Sequence, residues 1–198
     1  MSQRHGVTAV VALFGVAASF VSIAADLPPL VFFEAEPWDT MGFVFVSPGR
    51  ESGIDVVQMR LTDDLGNPIP DIEIVVDISG CFDLCVDPVD PGLTGVTDAN
   101  GELTLDPQVG GCEDCTVIVR GNGVTVGVYG SVHSTDWNGN AASGRVGPGD
   151  LAFFAGAFLV TQDACADYTG DDAVGPSDLA VFSASFRGAD SNSEECLR

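Results

Sequence analysis

Two stretches near the end of the chain almost repeat each other: VGPGDLAFFAGAF at 146–158 and VGPSDLAVFSASF at 174–186, offset by 28 residues. Each follows a run rich in Asp, Asn and Gly. The first run is DWNGN followed by AASGRVGPGD, from Asp136 to Asp150; the second is DYTGDDAVGPSD, from Asp167 to Asp178. An oxygen-rich loop opening into a short amphipathic helix, used twice, restricts the fold strongly. Neither unit can bury its apolar face alone, so the two must pack on each other.

The loops have the spacing of calcium ligands. Ca2+ takes about six to eight oxygens, and a twelve-residue loop supplies them from positions 1, 3, 5, 7 (a backbone carbonyl), 9 and 12. Counting from Asp167, these positions fall on Thr169, Asp171, Ala173 and Asp178, with apolar Val174 at position 8 to pin the loop against its twin. Position 6, normally Gly, is Asp172, a residue type that tolerates left-handed backbone better than most. In the first loop Asp136, Asn138 and Asn140 match positions 1, 3 and 5. Reading back from Asp150 puts Arg145 at 7 and Val146 at 8, which leaves Ala141, Ala142 and Ser143 as an insertion. With fewer carboxylates, this first site is expected to bind more weakly or to bulge. The plainer alternative is a pair of solvated acidic turns capping two helices.

At these residues, over roughly 134–190, the chain resembles a type I dockerin domain, a family with two loop–helix calcium repeats, EF-hand-like, each with Asp at positions 1 and 12. The resemblance implies a Ca2+-dependent fold and docking to a cohesin-like partner or another surface protein. Partner choice in cellulosomal members rests largely on hydroxyl residues at positions 10 and 11 and polar or basic residues about six further on. Here those places hold Pro148 and Gly149, then Ala155 and Gly156, and in the second copy Pro176 and Ser177, then Ser183 and Ala184. The metal ligands carry over, whereas the cohesin-binding surface largely does not.

Helix faces follow from the same spacing. Leu151, Phe154 and Phe158 share one face, as do Leu179, Phe182 and Phe186, and both triads are expected in the core. Pro148 and Pro176 lie near helix starts, where a missing N–H costs little. With so little core, metal-binding free energy should count as folding free energy.

Residues 1–25 read as a secretory signal peptide: Arg4, a mostly apolar run from Val7 to Ala18, then Ser22-Ile23-Ala24-Ala25 before Asp26. A membrane anchor is the alternative; cleavage after Ala24 or Ala25 would release a secreted or cell-surface protein without a membrane segment. The formal charge is −22, with 29 acidic residues, seven basic and no Lys. Such a surface repels nucleic acid and anionic membranes.

Residues 26–133 read as an Ig-like β-sandwich. Strand-like runs occur at 30–35, 42–47, 56–63, 72–79, 93–98, 102–106, 116–120 and 124–133, bounded by Gly, Pro, Asn and Asp. The pattern DDLGNPIPDIEIVVD…GVTDANGELTL over 63–105 is similar to bacterial immunoglobulin-like (Big-type) repeats, which implies a spacer or adhesive role. The sandwich would pass into the dockerin-like region, 134–198, almost without linker at Ser134 and Thr135.

Six cysteines in a secreted chain suggest disulfides. Cys81, Cys85, Cys112 and Cys115 allow three pairings among themselves, or a tetrahedral zinc site. Bridges would staple the 80–92 loop to the 110–115 turn. Cys165 and Cys196 flank the second repeat, and a bridge between them would resemble the terminal clasp of dockerin-like pairs.

No enzyme is expected. The two histidines are His5, in the signal, and His133, read as a sheet-edge residue; no nucleophile triad or phosphate loop is framed. Trp38 and Trp137 read as packing residues, with sugar stacking as the alternative. The resulting expectation is a secreted, non-catalytic calcium-binding attachment protein. A structural or adhesive surface protein that uses calcium only for stability is the second reading, and an accessory protein of polysaccharide degradation the third.

Overall fold

The computed structural model describes residues 27, 31–46, 56–86, 91–137, 146–158 and 163–186. The signal segment 1–25, the insertion 141–143 and Cys196 lie outside the described residues. The chain is mainly β. In order it runs through β1 (Val31–Glu36), α1 (Trp38–Met41), β2 (Val44–Val46), β3 (Val57–Asp63), β4 (Glu73–Asp77), β5 (Cys85–Val86) and β6 (Thr94–Val96). Then come β7 (Glu102–Leu105), β8 (Val109–Gly110), β9 (Cys112–Glu113), β10 (Val117–Gly121), β11 (Val124–Tyr129) and β12 (Val132–Ser134). The repeat supplies α2 (Pro148–Ala157) and α3 (Pro176–Ser185), with a short 3-10 turn at Ala164–Ala166 between them.

Two sheets carry most of the core. One has strand order β1-β3-β7, the other β11-β10-β4-β6. Alternation does what the sequence suggests: Val57, Met59 and Leu61 of β3 are buried while Gln58 and Arg60 face out. The sheets meet along their margins. Gly127 of β11 lies so near Phe33 of β1 that a Cβ there would sit 2.8 Å from the ring, and a Cβ on Gly95 of β6 would meet Leu103 and Leu105 of β7.

The turns are built from the residues that signalled them. Asp63 Oδ1 accepts hydrogen bonds from the N–H groups of Leu65 and Asn67, and Asp98 Oδ1 accepts from those of Asn100 and Glu102. Gly101 has φ +71°, and a Cβ there would meet the Leu61 carbonyl oxygen at 2.4 Å, so the TDANG turn needs glycine on two counts.

A third sheet, β2-β12-β9, links this body to the repeat. The expected run 124–133 breaks at Gly130 and Ser131 into two strands that belong to different sheets. β12 then continues through Ser134, across the place where the sequence suggests a boundary. His133 is corrected from sheet edge to centre: β12 lies between β2 and β9, and His133 is buried and stacked on Phe43 with ring centroids 4.0 Å apart. Trp38 is fully buried, donates from Nε1 to the Phe45 carbonyl, and packs edge-on against Tyr129.

The core is continuous from the sheets into the helices. Phe45 of β2 meets Tyr168 with centroids 5.9 Å apart; Tyr168 in turn lies on Phe154 of α2, and Phe154 stacks on Phe182 of α3 at 4.9 Å. The repeats therefore do pack on each other, through Phe154 and Phe182. Leu151 and Leu179 depart from expectation: they are 41% and 40% exposed. A ten-residue helix leaning on one neighbour buries a narrow stripe, and the Phe rings take it.

Disulfides join Cys81 to Cys115 and Cys112 to Cys165, and Cys85 is also disulfide-bonded. The first staples the 80–92 loop to the 110–115 turn as expected. The zinc alternative loses its thiolates. The expected Cys165–Cys196 clasp is replaced by a bond from Cys165 to β9, because β9 pairs with β12 and β12 packs against the 3-10 turn that carries Cys165.

Candidate metal centre

Each helix of the repeat starts the same way. Pro148 and Pro176 occupy the first turn, as the sequence suggests, and follow Gly147 and Gly175 at the N-caps. Asp150 and Asp178 sit at the third helical position, and an Oδ2 of each accepts from its N-cap glycine N–H at 2.8 Å. Glycine has no side chain to return the bond, so the acid alone closes the helix start. Both Asp150 and Asp178 are buried, and the positive end of each helix stabilises the negative charge held there.

The second loop folds around two aspartates. Asp167 Oδ1 accepts from the N–H groups of Gly170 and Asp171, and Oδ2 from that of Asp172. Asp178 Oδ1 accepts from the N–H groups of Tyr168 and Thr169 and from the Thr169 hydroxyl. The loop thus closes on itself between positions 1 and 12. Asp172 has φ 64°, so position 6 adopts the left-handed turn that the pattern demands there. Carboxylate oxygens of Asp167, Asp171 and Asp178 come within 4.8 Å of one another. Thr169 lies at the same place through its bond to Asp178, and the Ala173 N–H is held by Asp171 Oδ1 at 3.1 Å.

This donor set suits a hard cation. All the side-chain donors are oxygens, three are carboxylates, and Asp167 and Asp178 are buried. Among the described residues neither makes an ion pair, and buried charges are costly without a counter-charge. A cation would be held by Asp167, Asp171 and Asp178, with Thr169 and Ala173 beside them. It would supply charge neutralisation and loop rigidity. A cleft of about 410 Å³ opens alongside, lined by Asp163, Asp167 and Asp172 among others.

Of the first loop, Asp136 and Asp150 are described and both are buried. Asn138, Asn140 and Arg145 lie outside the described residues. Asp136 is placed by the sheets: its N–H donates to Ser134 Oγ, and its carbonyl accepts from Gly111 N–H at 2.7 Å. Val146 and Val174 are buried, but the backbone bridge between repeats joins Val146 to Phe186 rather than to Val174. The first loop's apolar position thus reaches the exit of the second unit's helix.

Sequence reasoning missed two participants. His133 Nδ1 lies 3.4 Å from the Asp167 carbonyl oxygen, and burial pushes the imidazole below its ordinary pKa despite the nearby charges of Asp167, Asp114 and Asp163. Tyr168, between Asp167 and Thr169, is fully buried. No local pattern marks either one, since both depend on how the sheets meet the repeat. Trp137 is 41% exposed and stacks on Phe153 at 3.9 Å. Compared with known proteins, the chain matches no family model and no curated sequence.

Proposed function

We propose that this protein is a secreted, non-catalytic calcium-binding attachment module, an Ig-like β-sandwich fused to a dockerin-like pair of calcium loop–helix units. The observation that carries the reading is the convergence of Asp167, Asp171 and Asp178 at the start of α3. The same helix start recurs at Asp150. Calcium rather than zinc fits an all-oxygen donor set.

The helix surfaces support docking. In a chain of formal charge −22, the exposed residues of α2 are Pro148, Gly149, Leu151, Ala152, Ala155 and Gly156. Those of α3 are Pro176, Ser177, Leu179, Ala180, Ser183 and Ala184. Neither face carries a charge, which leaves both open to close approach by a protein partner of cohesin-like type. The disulfides are compatible with an extracellular site, and among the described residues no helix is long and apolar enough to cross a membrane.

A second reading is that calcium only stabilises a structural or adhesive protein. It is favoured by the Cys112–Cys165 bond and the shared aromatic core, which bind the repeat to the sheets. Two measurements separate the readings. Calorimetric calcium titration of the wild type and Asp167→Ala tests the metal; loss of the tighter event in the variant is expected, and absence of any binding heat with no thermal stabilisation removes both readings. Capture of a purified cohesin-like module in calcium but not in chelator supports attachment; calcium binding without capture supports the structural role.

A further inference from the structure

Tyr168 is fully buried, and its hydroxyl meets no hydrogen-bonding partner among the described residues. A phenol O–H left unpaired in a protein interior is costly, and phenylalanine would fill the same space without that cost. The site therefore calls for an oxygen-bearing partner or a cation that the hydroxyl meets.

The direction of the ring narrows the choice. Tyr168 belongs to the second loop, and its backbone N–H is bonded to Asp178. Its ring lies on Phe154 of α2, with centroids 5.8 Å apart and planes inclined by 14°. Phe154 is one helical turn beyond Asp150, the acid that opens α2. The side chain thus crosses from the second repeat to the first. The carboxylates of Asp150, Asp178, Asp163 and Asp136 all lie near enough to the phenol to act on it electrostatically, Asp150 the most strongly. Asp178 already accepts three bonds at Oδ1 and one at Oδ2. Asp150 and Asp136 are both buried.

We propose that the Tyr168 hydroxyl completes the oxygen shell of a divalent cation held by Asp136 and Asp150, so that the second repeat supplies a ligand-shell group to the first. This rests on the calcium reading above. A neutral hydroxyl adds a hard oxygen without adding charge, which suits a site built on few carboxylates.

The test is calcium titration by calorimetry of the wild type, Tyr168→Phe, Asp136→Asn and the double variant, with thermal melting of each in calcium and in chelator. Tyr168→Phe keeps the ring and should weaken one of two binding events by about tenfold. In chelator it should melt no lower than the wild type, and in excess calcium lower. In the Asp136→Asn background it should change nothing further. Unaltered calcium affinities in Tyr168→Phe, with higher melting in both conditions, would overturn the proposal and leave a packed phenol. Weakening that persists in the Asp136→Asn background would also overturn it, since the effect would then belong to the tyrosine's own loop. If the wild type binds no calcium, the calcium reading fails and this proposal fails with it.

Discussion

Cys112 and Cys165 are bonded across 53 residues of sequence, which ties β9 to the 3-10 turn that delivers Asp167 to the second loop. The neighbouring residue, Gly111, donates to the carbonyl of Asp136 at the start of the first loop. One short corner of the sheets thus positions the first aspartate of both loops.

Removing that tie should act on stability and on metal binding together. A bridge closing a loop of this size contributes about 3–5 kcal/mol in the chain-entropy view. The Cys112→Ser/Cys165→Ser variant should melt well below the wild type and bind calcium several-fold more weakly. Thermal melting and calorimetry on the same samples check it. An unchanged affinity beside a lower melting temperature would show that the corner stabilises the fold without preparing the loops.

Asp167 gives a second test, because it serves the loop even without metal. Its two oxygens accept three backbone N–H groups. Asp167→Asn retains a single carbonyl oxygen and turns an amide donor toward the Asp172 N–H or the Gly170 and Asp171 pair. In chelator it should lose about 1–3 kcal/mol. In calcium the loss should be larger, since the binding free energy of the second site vanishes as well. Urea unfolding with and without calcium measures both; equal losses in the two conditions would mean that the loop aspartates hold the turn and no ion.

Much of this was legible in the residues. The alternation in Val57–Asp63 foretold a half-buried strand, the TDANG turn foretold its glycine, and the Asp172 position foretold left-handed backbone. Each of these is a local rule. The failures are all long-range. The partner of Cys165 depends on β9 pairing with β12, which packs against the turn carrying Cys165, and the burial of His133 depends on β12 pairing in parallel with β2, a strand far back in the sequence. Helical spacing placed Leu151 and Leu179 with the phenylalanines, but spacing cannot tell how wide a stripe the neighbouring helix will cover.

His133 leads to a pH prediction. Burial holds its folded pKa below the ordinary value of 6.5, against the opposing charges of Asp167, Asp114 and Asp163. Below about pH 6.5 the unfolded chain takes up a proton that the folded chain does not, so stability rises with pH through this window and is lost as pH falls from about 6.5 toward the folded value. An NMR titration of the imidazole resonance in the folded protein should give a midpoint under about 6.5. A midpoint at or above that value would show that the carboxylates outweigh burial.

The aromatic stack separates the packing role of the repeat from its surface role. Phe154 touches Phe158, Tyr168 and Phe182 and is 1% exposed, whereas Leu151, three positions earlier on the same helix, is 41% exposed. Phe154→Ala should cost about 3–5 kcal/mol, because it empties the junction between α2, α3 and the second loop. Leu151→Ala and its repeat equivalent Leu179→Ala should each stay within about 0.5 kcal/mol of the wild type. Replacing both leucines by Glu should likewise leave the melting temperature nearly unchanged in calcium, while placing charge on the two uncharged helix faces. If those faces dock a partner, that variant should lose capture of a cohesin-like module and keep its calcium heats. A large stability loss from Leu151→Ala would mean that the helices bury a wider stripe than the exposed leucines indicate, and the faces would then not be open to a partner.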